Sequence, residues 1–320
     1  MKLVVFGGGT GLSILLRGLK KYTKDISAVV TVADNGGGSG VLREDLGMLP
    51  PGDMRNCIIA LSDIEPTMLK LMQHRFKDGY LNGQSFGNLL IAAMYELFGD
   101  YEHALKEIGS IFRLSGKVLP MTLQDTQLKA VLNNGDCILG EKDIPEFVNK
   151  CGCKIDRVIL VPDECVPLEE TIKDIKEADI IILGPGSLYT SVIPNLLVKG
   201  IPQLISQSNA TVFYICNLMT QPGETDDYNV YDHVNAINKH CNCAVIDYVI
   251  ANNERISDSQ IENYKFKGAK QVIIDNDQIK KLESLNIKVI SENFIEIRKN
   301  YIRHNSDKIG ELLFNYTKEK

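Results

Sequence analysis

The first dozen residues constrain this chain most. An apolar run, Leu3, Val4, Val5 and Phe6, meets Gly7-Gly8-Gly9-Thr10-Gly11, and a helical pattern with Leu15, Leu16 and Leu19 on one side follows. Strand, glycine turn, helix is the repeating unit of parallel α/β proteins. Glycine is needed in the turn because a β-carbon would hold backbone N–H groups away from an anion, and only glycine takes positive φ without penalty. The helix expected over residues 13–22 points its positive end at the turn, so Gly8, Gly9, Thr10 and Gly11 are candidates to hold a phosphate or pyrophosphate. Against the dinucleotide pattern G-x-G-x-x-G, Gly7 and Gly9 match but Leu12 stands at the third glycine, so a standard nicotinamide fold fits badly. No Gly-Lys-Ser/Thr follows, which excludes a Walker loop. The alternative is a turn that only packs a helix on a strand.

The whole chain narrows the class further. Its 320 residues are 44% hydrophobic, enough for a sizeable core, and carry 35 basic and 41 acidic side chains for a net charge of −6. No basic surface is on offer to a nucleic-acid backbone, so polynucleotide binding is not expected. The first strand starts at Lys2, leaving no room for a signal peptide, and no apolar run approaches the ~20 residues of a membrane helix. A cytoplasmic protein that does not insert into a membrane is expected, with its eight cysteines as free thiols. Two pairs are candidate metal ligands, Cys151-Gly-Cys153 and His240-Cys241-Asn-Cys243. C-x-C is tighter than the C-x₂₋₄-C of structural zinc, and both pairs read better as leading into strands at 155–162 and 244–251.

In chain order, the run over 26–33 reads as a strand buried on both faces and ends in Asp34-Asn35-Gly36-Gly37-Gly38-Ser39-Gly40. Asp34 at a strand end can take a ribose hydroxyl or hold a metal, and the loop beside it, Asn35, Gly36, Gly37 and Ser39, suits close approach of a ligand. Asp53 is expected to cap a helix whose first turn carries Arg55 and Asn56, both placed to reach an anion. Helices are expected at 67–76, 86–98 and 101–114. Asn88, inside an apolar helix, reads equally as a buried hydrogen bond or a ligand contact. Strands at 117–123 and 127–132, with an Asn133-Asn134-Gly135-Asp136 turn, suggest a small β-hairpin layer.

The parallel pattern then resumes over 156–161 and 179–183, and the second strand runs into Gly184-Pro185-Gly186-Ser187-Leu188-Tyr189-Thr190-Ser191. This is a third glycine junction, with Gly186 and Ser187 suited to phosphate oxygens. Tyr189 stands where a nucleophile elbow needs a small residue, so Ser187 is not read as a nucleophile. The strand 211–216 ends at Asn217, whose amide could read a base or sugar edge. His233 and His240, seven apart on one helix, read as a solvated face. Strands at 244–251 and 271–274 are expected to complete the alternation, and Arg303 and His304 precede a helix at 306–314, where they could complete an anion site. The expected fold is a single α/β domain over 1–320, doubly wound and mostly parallel (Rossmann-like). It carries a helical insertion over about 53–115 and the small β-layer over about 117–140. The ligand crevice is expected beyond the carboxyl ends of the strands, for a nucleotide-containing ligand.

The blocks Val4–Leu12, Gly52-Asp53-Met54-Arg55-Asn56, 184–196 and 216–226 resemble the bacterial gluconeogenesis factor family, a sister of the 2-phospho-L-lactate transferases of deazaflavin cofactor synthesis. The resemblance implies a cytoplasmic regulatory protein that supports cell shape on gluconeogenic carbon sources and binds UDP-N-acetylglucosamine. It adds Tyr264 and Arg303 to a crevice formed by Gly9–Gly11, Gly186, Ser187, Asp34 and Asn217, and brings no catalytic residue. Two blocks depart from the family pattern. Asp34-Asn35-Gly36-Gly37-Gly38-Ser39-Gly40-Val41 replaces Asp-Asp-Gly-Gly-Ser-Ser-Gly-Arg, and Gly83-Gln84-Ser85-Phe86-Gly87-Asn88 replaces Gly-His-Ser-Leu-Gly-Asn. Both favour binding over catalysis. The rival is a transferase with a nucleotide-linked donor and magnesium, for which Asp34 is the candidate ligand. Self-association and modification near Ser306 are left open by the sequence.

Overall fold

The structure, a computed structural model, describes residues 1–266, 268–298 and 301–319. Seven strands form one parallel sheet: β1 (Leu3–Gly7), β2 (Ile26–Val30), β3 (Lys117–Pro120), β7 (Ile180–Leu183), β8 (Thr211–Ile215), β9 (Tyr248–Asn252) and β10 (Lys288–Glu292). Their order is β10-β9-β8-β7-β1-β2-β3. The apolar runs predicted this, because strands covered by helices on both faces need apolar side chains on both. Every residue of β1, β2, β7 and β8 is buried.

The chain winds outward in opposite directions from β1 and β7, which makes that pair the topological switch point and opens a crevice beyond their carboxyl ends. A second sheet holds β4 (Gln127–Leu132), β5 (Cys137–Leu139) and β6 (Ile155–Val161), all antiparallel. A hairpin, β11 (Ile295–Arg298) with β12 (Tyr301–His304), lies near the C-terminus.

Several elements differ from the sequence reading, each for a tertiary reason. Lys117–Pro120 pairs in parallel with β2 as the edge of the main sheet, so the small layer begins at Gln127 and gains β6, expected in the parallel series. Pro120 lacks an N–H and suits an edge. The edge strand beyond β9 is Lys288–Glu292; Gln271–Ile274 is not a strand and contributes only a bridge between Gln271 and Met219. The first helix, α1 (Gly9–Leu19), begins four residues earlier than expected, inside the glycine turn. The glycine loop after Asp34 also becomes helical, as α2 (Gly37–Leu46). Glycine's poor helix propensity hid both starts.

Eight free cysteines are confirmed. Cys151 ends the helix Asp143–Cys151 rather than entering a strand, and the Cys153 N–H donates to its Sγ at 3.2 Å. His240 is not solvated either: its Nε2 accepts the Val158 N–H at 3.0 Å and its Nδ1 pairs with Ala236 O at 2.7 Å. His233 is fully buried.

Candidate functional site

A cavity of about 600 Å³ opens at the switch point. Its inner wall is the pair of glycine turns, Gly8–Gly11 after β1 and Pro185–Ser187 after β7. The turns touch: a β-carbon on Gly11 would lie 2.8 Å from Pro185 O. Gly9 sits at φ +63° as the first residue of α1, so the helix starts at the cavity lining, with the Gly9 N–H donating to Asp53 Oδ2. The opposite wall is the loop after β8, Asn217–Pro222. The outer rim comes from Tyr264, Ile302, Arg303 and His304, with Pro145 from the small layer. Leu218, Ile261 and Ile302 form a separate apolar cluster that also takes in Tyr264. The Tyr264 hydroxyl accepts the Ile302 N–H at 3.0 Å, tying the helix Asp258–Lys265 to β12.

The sequence-derived candidates fall into two groups. Gly8, Gly9, Thr10, Gly11, Gly186, Ser187, Asn217, Tyr264 and Arg303 line the cavity. Asp34, Asn35, Gly36, Gly37, Ser39, Arg55, Asn56 and Asn88 do not. Asn35 Oδ1 accepts the Lys142 N–H at 3.1 Å and so fastens the small layer to α2. Asn88 is buried and accepts from Arg55 Nη1 at 2.9 Å, while the same guanidinium donates to Ser85 Oγ and to Asn56 Oδ1 at 3.0 Å. Asp53 does not cap its helix, α3 (Gly52–Leu61), which has no side-chain cap. Its carboxylate accepts the Gly9 N–H instead. A residue read as local thus reaches the first glycine turn, across 44 positions of sequence.

Beside the cavity lies a carboxyl cluster that sequence reasoning missed. Burial, opposed by the Gly9 bond and reinforced by Asp34, pushes Asp53 up to about 6. Burial and the charges of Asp34 and Asp53 push Glu141 up to about 7. Burial and Glu141 push Glu224 up to about 8. The charge of Glu141 acts on Glu224 between the small layer and the loop after β8, with Thr190 beside both. Only a fold that folds residue 141 back onto residue 224 reveals this.

Among the described residues no group of three or more His, Cys, Asp or Glu side chains is placed to hold a metal ion. Asp34 and Asp53 could still share a hard divalent cation with ligand phosphates, the usual manner of magnesium binding.

Two further corrections concern chemistry. His304 is no cation: burial pushes its imidazole down to about 4, and its Nε2 bonds to Cys216 O at 3.0 Å. Arg43, passed over in the sequence, is buried and donates to Val32 O, Asp34 O and Thr126 O, fixing the Asp34 loop.

An all-parallel doubly wound sheet with glycine turns meeting at its switch point defines a Rossmann-like α/β protein. The family profile described as 2-phospho-L-lactate transferase CofD matches residues 3–295. The chain is 53% identical over 312 residues to a putative gluconeogenesis factor of Thermoanaerobacterium thermosulfurigenes, covering 98% of this chain and 95% of that one. It is 46% identical over 319 residues to the gluconeogenesis factor of Bacillus subtilis, covering 99% and 98%. A crystal structure of a UPF0052 family protein from Bacillus halodurans superposes with a TM-score of 0.92 at 45% identity, covering 97% of this chain and 98% of that one. The chain belongs to the gluconeogenesis factor family, within the wider CofD group. No described helix is long and apolar enough to cross a membrane.

Proposed function

We propose that this protein binds a nucleotide sugar, UDP-N-acetylglucosamine in particular, and acts as a cytoplasmic regulator that supports cell shape during growth on gluconeogenic carbon sources. The observation that carries the reading is the meeting of two glycine turns and the start of α1 across one cavity. Such a surface suits a diphosphate, because its N–H groups are concentrated and a β-carbon would exclude the ligand. Gly9, Gly11, Gly186 and Ser187 take the diphosphate in this reading. Asn217, Tyr264 and Arg303 face the base and sugar. The names of the relatives support the link to gluconeogenic growth.

Thermal unfolding of the purified protein with UDP-N-acetylglucosamine, GDP or NAD, each with and without magnesium, tests the assignment. A ligand at a hundredfold excess over its Kd stabilises by about 2.7 kcal/mol. Selective stabilisation by the UDP-sugar without turnover is the expected result. The second reading is a transferase with a nucleotide-linked donor, favoured by the CofD profile and by the Asp34 and Asp53 carboxylates. A shift only with GDP and magnesium, lost in Asp34→Ala, would replace the first reading with it.

A further inference from the structure

We infer that His304 and Asn217 form a hydrogen-bond-accepting wall that selects the ligand by a neutral N–H or O–H donor, an inference that rests on the nucleotide-binding reading above. Both residues line the cavity. The His304 Nε2–H donates to Cys216 O at 3.0 Å. That carbonyl immediately precedes Asn217, so the two side chains are anchored at one point, the carboxyl end of β8.

A ring that spends its Nε2 proton on the backbone, and is held neutral by its surroundings, carries a lone pair on Nδ1. No described residue bonds to that atom. Asn217 is oriented by a side-chain chain: its Nδ2 donates to Gln221 Oε1 at 3.3 Å, and Gln221 Nε2 donates to Ser187 Oγ at 2.6 Å. Asn217 Oδ1 is left buried without a partner. Buried acceptors without partners are uncommon in folded proteins, because each costs the desolvation of its lone pairs. Asn217 Oδ1 is one such acceptor, on a residue that lines the same cavity as His304.

The wall complements the other side of the cavity. Glycine-turn N–H groups attract anions, whereas two lone pairs repel them and welcome a donor. Arg303 does not cancel this, since its guanidinium donates to Ile302 O at 3.1 Å and lies 5.0 Å from the Tyr301 ring centre. A ligand therefore seats with its phosphates on the turns and a neutral donor on the wall. The donor could come from the imide N–H of a uracil-like base or from the hydroxyl and acylamino groups of the sugar.

Calorimetric titration of UDP-N-acetylglucosamine, UDP and CDP into the full chain, its His304→Leu and His304→Gln variants and an Asn217→Leu variant tests the assignment and separates these sources. Cytosine presents a lone pair at the ring position where uracil presents N–H. The wild-type chain is expected to prefer UDP over CDP, or the UDP-sugar over UDP, by about tenfold, the worth of one well-made hydrogen bond. His304→Leu should erase whichever preference exists, and His304→Gln, which keeps a donor and an acceptor, should restore part of it. Collapse of the UDP/CDP ratio assigns the wall to the base; collapse of the UDP-sugar/UDP ratio assigns it to the sugar. Asn217→Leu leaves the His304–Cys216 bond in place and serves if His304→Leu unfolds the chain. Unchanged ratios, or a uniform loss for all three ligands, would overturn the inference while leaving nucleotide binding standing. A wild-type chain that binds none of them would overturn both.

Discussion

Glu224→Gln should stabilise the protein at pH 8.5 by on the order of 4 kcal/mol and at pH 5 by less than about 1 kcal/mol. Glu224 is only 8% exposed, one of its carboxyl oxygens has no partner, and burial with Glu141 nearby raises its pKa from 4.5 to about 8. An acid that ionises later in the folded than in the unfolded chain makes the folded state the better proton binder. Stability is therefore full below the unfolded value and is lost as pH rises toward the folded one. Glu141 and Asp53 are raised in the same direction, to about 7 and about 6, so the native chain should weaken progressively from about pH 4 to pH 8. Glutamine keeps the shape and an acceptor for the Tyr189 backbone N–H while removing the charge. Urea titrations of both chains at pH 5, 7 and 8.5 check the result. A variant no more stable than wild type at pH 8.5 would mean that Glu224 is ionised and well paired.

The second large effect lies at the opposite end of the sheet and has the opposite sign. Asp174 is fully buried and accepts from Ser27 Oγ at 2.7 Å. Lys2 Nζ lies at 2.7 Å and Lys117 Nζ at 3.2 Å. Burial alone would raise its pKa. The bonds from Lys2 and Ser27 and the charge of Lys117 outweigh it and hold the carboxyl below its ordinary value. The hub joins the beginnings of β1, β2 and β3 through residues that sequence periodicity treats as strand edges. Asp174→Asn removes the buried carboxylate from Lys2, only 14% exposed, and from Lys117, leaving them Glu177 and Glu170, and should cost about 3 kcal/mol. For a chain of 320 residues that is roughly a 4–5 °C fall in Tm. A group whose folded value is depressed contributes stability above its unfolded value and loses it as pH falls. The gap between wild type and Asp174→Asn should accordingly narrow below about pH 4. Calorimetric scans at pH 3.5 and 7 measure it, and equal Tm values at pH 7 would refute the hub.

The parallel sheet was legible because burial on both faces leaves uninterrupted apolar runs such as Val4–Phe6 and Ile180–Leu183. The glycine junctions were legible too, since backbone approach to an anion leaves few other residues usable. Boundaries were less so. Gly9 and Gly37 begin helices that glycine's propensity argues against, and Lys117–Pro120 reads the same whether it pairs in a hairpin or at a sheet edge. Eight of the seventeen candidate site residues lie outside the cavity lining. Asn35 and Asn88 are polar in a pattern that suits a ligand, and each is spent on another part of the chain.

The sequence by itself determined the fold class and where its glycine turns lie, because both follow from local requirements: apolar faces at fixed period, and the absence of a β-carbon where the backbone turns sharply or packs closely. Tertiary structure alone decided which charged groups face one another. Asp53 against Gly9, Glu141 against Glu224 and His304 against Cys216 join residues 44 to 88 positions apart. Their protonation depends on shared burial, a property of the assembled site that no single residue or its neighbours in sequence carries.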